Sequence, residues 1–462
     1  MIGRHIGTAA LVLMMVLSVM GFAADRPNVL FILADDLGYG DLGSFGQQKI
    51  ATPNIDQLST EGMRFTDFYA GSTICAPSRS VLMTGQHTGH TRVRGNMCTV
   101  GGSIGYKGTR QVRRMSLTDE DITLGHVMRQ AGYRTGLVGK WHLDAYDPNA
   151  GPTDRGFDEF RGWLINEPRT GGYYPEQRVV NRDLVDIPEN ANGKQGIYTT
   201  DLCTDEAIAF IQKNKTTPFF LYLAYNNPHS PLEVPDLGPY KDKDWPEHCK
   251  IYAAMVHRLD QNIKRLMQSL QETGLDEKTL VFFCSDNGPR SEPTQIQTEV
   301  SDFFDSNGPL RGYKRDLYEG GIRVPMIARW PGKIKPGTTS EVPWYFADVM
   351  ATVADAGNAK VPANTDSISV MDVLTGRENQ LPDRFLYWEY FESGVQQAVR
   401  WGKWKALKLK RGQPMELYDL SADLGEQNNV AAENPQVVQQ IEDYLKTART
   451  ESINWPLSGG NE

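Results

Sequence analysis

Four short apolar segments, each followed within two residues by a polar cluster, constrain most strongly how this chain can fold. They are Val29–Ala34, Thr135–Val138, Phe219–Ala224 and Leu280–Cys284, and segments with helical periodicity lie between them. Strands that alternate with helices form a largely parallel sheet with helices on its faces. The sequence therefore predicts the α/β class, with the polar residues gathered at the carboxyl edge of the sheet, where such sheets bind ligands.

Two of these polar clusters offer oxygen ligands for a metal ion. Asp35 and Asp36 follow the first segment, and Asp286 and Asn287 follow the fourth. Oxygen donors suit a hard cation such as Ca²⁺ or Mg²⁺, whereas zinc prefers nitrogen and sulfur ligands. Adjacent carboxylates also occur as helix caps or turns. Because polar clusters end all four segments, a ligand site explains the pattern better than separate caps do.

The other two clusters carry cationic and imidazole groups. Lys140 and His142 follow the second segment, and His229 follows the third. If the chain stays extended after the strand, Lys140 and His142 project to the same side. A cation and an imidazole aimed at one point would grip an anionic group. The alternative is a solvated lysine and a histidine that is satisfied within the fold.

The segment Cys75–Arg79 predicts a loop that leads into a helix. Pro77 suits the first helical position, and Gly85 suits the helix end. Cys75 then lies at a helix N-terminus, where backbone N–H groups and the helix dipole favour an anion. Three roles stay open on these grounds: a buried inert cysteine, a thiolate nucleophile of low pKa, or a cysteine that is modified.

Taken together, these motifs resemble those of the type I sulfatases of the alkaline-phosphatase superfamily, in particular the bacterial arylsulfatases and carbohydrate sulfatases. Cys75–Arg79 matches the family signature C-x-P-S-R, whose cysteine is oxidised to Cα-formylglycine, and residues 132–142 match the second signature. Thr73 and Gln86 depart from the usual pattern beside the first signature. Further matches are Asp35-Asp36, Gly156–Asp158, Pro228-His229, Ser285–Gly288, Leu310–Lys314 and Tyr418–Leu420.

The resemblance implies an alkaline-phosphatase-like fold, in which helices sandwich a large, mostly parallel central sheet. A small C-terminal subdomain of antiparallel sheet and helix completes it. It also implies a formylglycine formed from Cys75, whose hydrate attacks sulfur with one hydroxyl and expels sulfate when the second hydroxyl loses its proton. One Ca²⁺ ion is implied, and its ligands are Asp35, Asp36, Asp286, Asn287 and the formylglycine oxygen of residue 75.

The resemblance further implies catalytic roles for five other side chains. Arg79 holds the formylglycine hydroxyl, and Lys140 and Lys314 neutralise sulfate oxygens. His142 assists the proton loss, and His229, helped by Lys314, protonates the leaving oxygen. The implied partners are a sulfated saccharide and either a formylglycine-generating enzyme or an anaerobic sulfatase-maturating enzyme.

Two other functions fit parts of this pattern. A phosphoester hydrolase of the same superfamily binds two zinc ions and needs histidines beside its metal aspartates, whereas Asn287 follows Asp286 here. A calcium-dependent pseudo-enzyme would hold sulfated glycans without cutting them, and loss of a catalytic residue would favour it. None of the implied residues is missing from the sequence. We therefore expect a sulfatase that hydrolyses sulfate monoesters on a sulfated carbohydrate.

The chain divides into four predicted regions: a signal peptide at 1–24, a catalytic domain at 25–365, a C-terminal subdomain at 366–450 and a tail at 451–462. Arg4 and the uncharged stretch that ends at Ala24 are typical of a secretory signal, with an uncleaved membrane anchor as the alternative. We expect a periplasmic or secreted protein. Predicted helices are Asp121–Ala131, Tyr252–Thr273 and Pro435–Thr447, and predicted C-terminal strands lie within Phe385–Phe391, Gln397–Lys410 and Met415–Leu420.

The net charge of −9 disfavours a nucleic-acid partner, so an anionic substrate needs a local basic pocket. Candidates for substrate specificity are His87, His90, Arg92, Arg94, Asn96, Lys107, Arg110, Arg113 and Arg114, the last four within an insert at 101–114. The alternative is that most of them are solvated charges or supports for helices. A basic strand is expected to present a solvated face, with contact to a polyanionic chain as the alternative; its residues are Arg400, Lys403, Lys405, Lys408 and Lys410. Pairing stays open for Cys98, Cys203, Cys249 and Cys284, of which Cys284 is expected to be buried.

Overall fold

The structure, a computed structural model, describes residues 26–98, 100–107, 109–147, 149–164, 172–291 and 295–457. The strands are β1 Asn28–Asp35, β2 Met63–Phe65, β3 Phe68–Tyr69, β4 Ser103–Lys107, β5 Arg110–Arg114, β6 Arg134–Lys140, β7 Glu159–Trp163, β8 Gln177–Val180, β9 Asp183–Asp186, β10 Phe219–Pro228, β11 Thr279–Ser285, β12 Met326–Arg329, β13 Thr338–Ser340, β14 Trp344–Tyr345, β15 Phe385–Tyr390, β16 Gln396–Trp401, β17 Trp404–Lys408 and β18 Glu416–Asp419. The α-helices are α1 Pro53–Glu61, α2 Cys75–Thr84, α3 Leu124–Gln130, α4 Thr199–Lys213, α5 Glu247–Glu272, α6 Gln295–Phe304, α7 Glu319–Ile322, α8 Phe346–Ala356, α9 Met371–Leu374 and α10 Pro435–Leu445.

The central sheet has ten strands in the order β13-β2-β12-β11-β1-β10-β6-β7-β8-β9. Strands β11, β1, β10, β6 and β7 run parallel, and antiparallel pairs follow at each side. β1 lies between β10 and β11, so that Asp35 pairs with Pro228 and Ala34 pairs with Ser285. The carboxyl ends of these strands therefore meet at one edge. The predicted α/β class and mostly parallel central sheet are confirmed.

Helices cover both faces of this sheet. Val29, Phe31 and Leu33 of β1 belong to one hydrophobic core together with residues of α2, α3 and α8. Leu30 and Ile32 belong to a second core, which includes residues of α4 and α5. Successive residues of a strand point to opposite faces, so a strand that is buried on both faces is apolar at every position. This burial explains the continuous apolar segments of the sequence.

The predicted elements are present, with differences at their ends. The helix expected at Asp121–Ala131 is α3, which begins after the N-cap Thr123, whose side chain accepts a hydrogen bond from the backbone N–H of His126. The helix α2 begins at Cys75, so Pro77 occupies its third position instead of its first. The proline is still tolerated there, because the first four N–H groups of a helix have no intrahelical acceptor.

The C-terminal part forms an antiparallel sheet in the order β15-β16-β17-β18, followed by α10, as predicted. Gly402, with a φ of 53°, makes the turn that divides the predicted Gln397–Lys410 into β16 and β17. The expected solvated face is wrong for Lys405, which is fully buried with its Nζ 2.8 Å from Glu319 Oε1. Arg400 is also buried. The subdomain boundary near residue 365 stays a prediction.

Two further expectations concern the ends of the chain and its cysteines. The signal peptide at 1–24 lies outside the described residues. Within the described part, none of the helices is both long and apolar enough to cross a bilayer. The free, buried cysteines are Cys75, Cys98, Cys203, Cys249 and Cys284, which confirms the predicted burial of Cys284.

Candidate active site

The ends of β1 and β11 bring the predicted metal ligands together. Asp35 ends β1, and Asp36 has a positive φ of 64°, which turns the chain toward β11. The backbone N–H of Asp36 donates to Asp286 Oδ1 at 3.3 Å, and Asn287 Nδ2 donates to Asp36 Oδ1 at 2.8 Å. All four side chains are buried. The structure therefore assembles, from two neighbouring strands, the oxygen cluster that the sequence predicted.

Cys75 is the first residue of α2 and lies against this cluster. Its Sγ is 3.5 Å from Asp35 Oδ1 and 3.1 Å from Lys314 Nζ. Burial raises the pKa of the Cys75 thiol to about 12, although Lys140 and Lys314 act in the opposite direction. This environment disfavours the thiolate alternative. Of the three roles, the buried inert cysteine and the cysteine that is modified remain, for a side chain that lies beside cations at the N-terminus of the helix.

Arg79 lies one turn along α2 and joins the helix to two strand ends. Its Nε and Nη2 both donate to Asp286 Oδ2, at 2.9 Å and 2.8 Å, and its Nη1 donates to the Lys140 carbonyl at 2.9 Å. Burial raises the pKa of Asp286 to about 6; the Asp35 carboxylate adds to this shift and Arg79 opposes it. Arg79 is fully buried, so it positions the site from beneath and is held rigidly.

The two predicted lysines each contact one aspartate. Lys140 Nζ donates to Asp35 Oδ2, and Lys314 Nζ donates to Asp36 Oδ1. Burial acts to raise the pKa of both carboxyl groups. Lys140 for Asp35 and Lys314 for Asp36, each with His229, outweigh burial and hold both pKa values below their usual range. Both carboxylates are therefore ionised, and both ammonium groups are buried against the acidic cluster.

His229 follows the cis peptide bond at Pro228 and faces the same cluster. Its Nδ1 donates to the Ser230 carbonyl at 2.7 Å, which leaves Nε2 3.7 Å from Asp36 Oδ2. Burial lowers the pKa of His229 to about 4, although Asp36 and Asp35 act in the opposite direction. The neutral imidazole keeps its proton at Nδ1 and thus presents an unprotonated Nε2 to the site.

His142 differs from the expectation of an extended chain. β6 ends at Lys140, and His142 has a positive φ of 67°, so the backbone turns before this residue. Its Nε2 accepts a hydrogen bond from Arg114 Nη1 at 3.1 Å. Burial, with Lys140 and Arg114, lowers the pKa of His142 well below its usual value. His142 therefore stays neutral and lies beside the lysine, but a turn places it there instead of strand geometry.

The donor atoms at this point fit a hard cation. Asn287 Oδ1 and Asp36 Oδ2 are buried and have no hydrogen-bond partner among the described residues. Buried oxygens are normally satisfied, and a bound cation would satisfy both. Asp35, Asp36, Cys75 and His229 each offer a ligand atom within 4.8 Å of the others. Asp286 and Asn287 bring two further oxygen-bearing side chains to Asp36, so oxygen donors outnumber sulfur and nitrogen, and the site suits Ca²⁺ better than zinc.

Glu392, which the sequence did not single out, supports the site together with Asn96. Glu392, in the turn after β15, accepts the backbone N–H groups of Asn96 at 2.8 Å and Met97 at 3.1 Å, and it pairs with Arg315 at 2.6 Å. The side-chain oxygen of Asn96 in turn accepts the backbone N–H of Ala76 at 2.9 Å. No local pattern marks Glu392, because its partners lie on distant segments.

Thr73, which departs from the usual motif, has a structural partner. Its Oγ1 accepts the backbone N–H of Arg315 at 2.8 Å, and its carbonyl lies 3.1 Å from the same nitrogen. Arg315 directly follows Lys314. The hydroxyl of Thr73 therefore ties the loop before Cys75 to the loop that carries Lys314. Gln86, the other departure, donates to the Asn364 carbonyl at 2.7 Å, away from the acidic cluster.

Most of the specificity candidates have structural partners, as the alternative reading predicted. Arg94 is buried and pairs with Glu389 at 2.8 Å, and Arg92 pairs with Asp121 at 2.6 Å. His87 and His90 stack on each other and face Asp366. The side chain of Lys107 lies outside the described part of the structure. Among the described residues, Arg110 and Arg113 are exposed and form no ion pair.

Residues 27–359 match the protein-family model Sulfatase, and residues 312–451 match the model N-sulphoglucosamine sulphohydrolase, C-terminal. The chain belongs to the sulfatase family. This sulfatase is 32% identical to arylsulfatase A of Bos taurus, over 91% of this chain and 88% of that protein. It is 28% identical to the N-acetylgalactosamine-6-O-sulfatase of Bacteroides thetaiotaomicron, over 93% of this chain and 94% of that protein.

Among solved structures, this sulfatase is similar to Ps i-CgsB in complex with k-i-k-neocarrahexaose. The TM-score is 0.77 at 28% identity, and the match covers 95% of each chain. These findings confirm the prediction of a type I sulfatase of the alkaline-phosphatase superfamily and of a sulfuric ester hydrolase. They favour this activity over the phosphoester-hydrolase and glycan-binding alternatives.

Proposed function

We propose that this sulfatase removes sulfate from a sulfated saccharide, with a formylglycine derived from Cys75 as its nucleophile and with one Ca²⁺ ion. The observation that carries the proposal is the position of Cys75: its Sγ lies between Lys314 Nζ at 3.1 Å and Asp35 Oδ1 at 3.5 Å, at the N-terminus of α2. A nucleophile at this point has a cation and helix N–H groups on one side and a metal-binding carboxylate on the other.

The formylglycine would supply a hydroxyl that attacks sulfur and a second hydroxyl whose deprotonation releases sulfate. The Ca²⁺ ion, held by Asp35, Asp36, Asp286, Asn287 and residue 75, would supply positive charge where sulfate binds. The chain itself provides three cations and three carboxylates here, which balance each other. A divalent cation added to this balanced cluster leaves net positive charge, and this favours a sulfate ester although the whole chain is acidic.

The chain's own side chains have distinct roles in this proposal. Lys140 and Lys314 neutralise sulfate oxygens, and the buried Arg79 orients residue 75 and the acidic end of β11. Because Nδ1 of His229 is held by the Ser230 carbonyl, its Nε2 faces the site, and from the imidazolium form it would protonate the leaving oxygen, helped by Lys314. The Nε2 atom of His142, which accepts a hydrogen bond from Arg114, takes up the proton that the second formylglycine hydroxyl loses.

The substrate class rests on relatives as well as on the site. The bacterial relative is named an N-acetylgalactosamine-6-O-sulfatase, and the similar solved structure holds k-i-k-neocarrahexaose. We therefore propose a sulfated galactose or N-acetylgalactosamine unit as the substrate. We also propose that the protein acts in the periplasm or outside the cell, after removal of residues 1–24. Oxidation of Cys75 then requires a formylglycine-generating or anaerobic sulfatase-maturating enzyme.

The test begins with the peptide that carries Cys75. The protein is prepared from its native host or together with a maturating enzyme, and the peptide mass and its reaction with a hydrazide are measured. We expect an aldehyde at position 75 and turnover of an aryl sulfate and of sulfated galactosides, which Cys75→Ala abolishes. An unmodified thiol in a protein that still hydrolyses sulfate esters would overturn the formylglycine. An aldehyde without any turnover would overturn the hydrolytic function and favour glycan binding.

A further inference from the structure

A separate cavity lies beside the nucleophile helix, with a volume of about 500 Å³. This is the size of a site for a small organic ligand. It runs along the outer edge of β5, between this strand and the C-terminal part of the chain. The lining residues used in the argument are Met97, Arg110, Gln111, Arg113, Phe391 and Trp455.

A short path of contacts joins this cavity to the nucleophile. Asn96 Oδ1 accepts the N–H of Ala76, the residue after Cys75, at 2.9 Å, and Met97 in the cavity wall follows Asn96 directly. Glu392, which also lines the cavity, accepts the N–H groups of both Asn96 and Met97. Neighbouring Cα atoms are about 3.8 Å apart, so the cavity begins on the order of 10 Å from the nucleophile. One oligosaccharide can reach both places.

The strand β5 provides a second connection. Its last residue, Arg114, donates to His142 Nε2 at 3.1 Å inside the active site. Its first four residues, 110–113, line the cavity. The active site and the far end of the cavity are thus only the length of β5 apart. The same strand therefore contributes residues both to the active site and to the cavity.

The charge of the cavity indicates the kind of ligand. Arg110 and Arg113 are exposed and form no ion pair among the described residues, and Arg113 reaches only the Gly101 carbonyl, at 3.4 Å. The carboxylate of Glu392 is already paired with Arg315 at 2.6 Å. Two uncompensated arginines on a chain with a net charge of −9 favour an anion locally. A guanidinium binds sulfate or carboxylate through two parallel hydrogen bonds.

The opposite wall of the cavity suits a sugar ring. Phe391 and Trp455 lie with ring centroids 5.4 Å apart, and Trp455 is fixed by a hydrogen bond from its Nε1 to the Arg92 carbonyl at 2.9 Å. Trp455 is itself buried, so the partly exposed ring of Phe391, which packs against it, offers the apolar surface at little cost in conformational entropy. Gln111 adds an amide that can donate to or accept from hydroxyl groups.

We propose that this cavity is a subsite for a second, anionic sugar unit of an oligosaccharide whose neighbouring unit loses its sulfate at residue 75. The proposal rests on the proposed sulfatase function and adds that the substrate is a polymer or oligomer with more than one anionic group. Arg110 and Arg113 bind the second anion, which is a sulfate or a carboxylate. The partly exposed ring of Phe391 packs against the sugar ring that carries this anion.

The test uses the double variant Arg110→Ala/Arg113→Ala and the mature enzyme. Its kcat/KM is measured on methylumbelliferyl sulfate, on carrageenan tetrasaccharides, which carry sulfate but no carboxylate, and on monosulfated chondroitin disaccharides, whose second anion is a carboxylate. We expect the loss on one oligosaccharide class to exceed the loss on the aryl sulfate at least tenfold, through KM. The affected class identifies the second anion. Arg377→Ala, which changes an exposed arginine in another groove, is the matched control. It should leave kcat/KM on each oligosaccharide class, relative to kcat/KM on the aryl sulfate, as in the wild type.

Two results would overturn the subsite: equal losses on the aryl sulfate and on both oligosaccharides, or no loss on any of them. Failure of the proposed function would look different, because the wild-type protein would then turn over none of the sulfate esters. In that case, binding of the same oligosaccharides to wild-type and double-variant protein is measured by titration calorimetry. At least tenfold weaker binding to the variant supports the subsite, and equal affinity or absence of binding overturns it.

Discussion

Lys314 Nζ lies 3.1 Å from the Cys75 sulfur and also contacts Asp36 Oδ1, so that one ammonium group touches both the proposed nucleophile position and the acidic cluster. Burial alone would lower the pKa of Lys314, but the Asp36 carboxylate and Cys75 outweigh it and raise this pKa above its usual value. The lysine is therefore charged across the physiological range. It is fixed in place before any substrate arrives.

This fixed charge leads to the first prediction. Lys314→Ala and Lys140→Ala should each lower kcat on an aryl sulfate by at least ~100-fold, because one preorganised donor contributes about 2.7–4 kcal/mol to transition-state stabilisation. Asp286→Ala should have an effect of the same order, since it removes a predicted metal ligand and frees Arg79. Lys333→Ala, at an exposed lysine, serves as the control. Near-normal kcat in all three site variants, with aldehyde present at residue 75, contradicts the assignment.

The second prediction concerns removal of the metal. Treatment with EGTA should abolish turnover and lower Tm, and Ca²⁺ should restore both, because an ion that binds only the folded state stabilises it by about 2.7 kcal/mol at a hundredfold excess over Kd. Asn287→Leu removes the unpartnered oxygen of that residue and should lose most of the Ca²⁺ response in Tm. Restoration by Zn²⁺ but not by Ca²⁺ would show that the choice of cation is wrong.

The third prediction tests the contact between Thr73 and the loop that carries Lys314. Thr73→Val keeps the shape of the side chain but removes the oxygen that accepts the Arg315 N–H at 2.8 Å. The same N–H still reaches the Thr73 carbonyl at 3.1 Å, so loss of the side-chain hydrogen bond should cost only ~1 kcal/mol. If this loss raises the activation free energy by the same amount, kcat falls about fivefold. Thr73→Ser keeps the hydroxyl and should retain wild-type kcat, and KM should change in neither variant. A loss in Thr73→Ser equal to that in Thr73→Val speaks against this role.

The sequence was most informative where one physical cause determines both the pattern of residue types and their position in the fold. The apolar strand β1 must be buried on both faces, and Asp35 and Asp36 directly follow its last apolar residue, so the fold and one half of the acidic cluster could be predicted together. The turn at His142 was missed because a positive φ at a non-glycine residue depends on tertiary contacts, and the local sequence does not indicate it.

Charged side chains show where such prediction fails. Arg94 and Lys405 look like solvated residues in the sequence, yet Arg94 pairs with Glu389, 295 residues away, and Lys405 pairs with Glu319, 86 residues away. Pairing across such distances follows from how the C-terminal sheet packs on the catalytic body. No pattern within a single segment can reveal it. For the same reason the sequence does not identify Glu392 as the residue that holds Asn96, which in turn binds the N–H of Ala76.

The pairing of Lys405 leads to a prediction about pH. Its Nζ lies 2.8 Å from Glu319 Oε1 but 3.4 Å from Glu426 Oε1, so Glu319 is its closer partner. Burial acts to raise the pKa of Glu319, but Lys405 and Arg323 hold it at about 2. Burial raises the pKa of Glu426 to about 7; Lys405 opposes this shift and the Glu319 carboxylate adds to it. Two buried carboxyl groups thus share one lysine, and Glu426 takes up a proton near neutral pH.

Because the folded-state pKa of Glu426 is raised from its ordinary value of 4.5 to about 7, the folded protein binds more protons than the unfolded chain between these values. This contribution to stability is complete below the unfolded pKa and is lost as the pH rises through about 7. Glu426→Gln removes the titration, so we expect Tm to fall more steeply between about pH 5 and 8 in the wild type than in the variant. Tm is measured at a series of pH values in one ionic strength. Glu433→Gln, at an exposed glutamate, should keep the wild-type slope, and parallel slopes for wild type and Glu426→Gln would contradict the prediction.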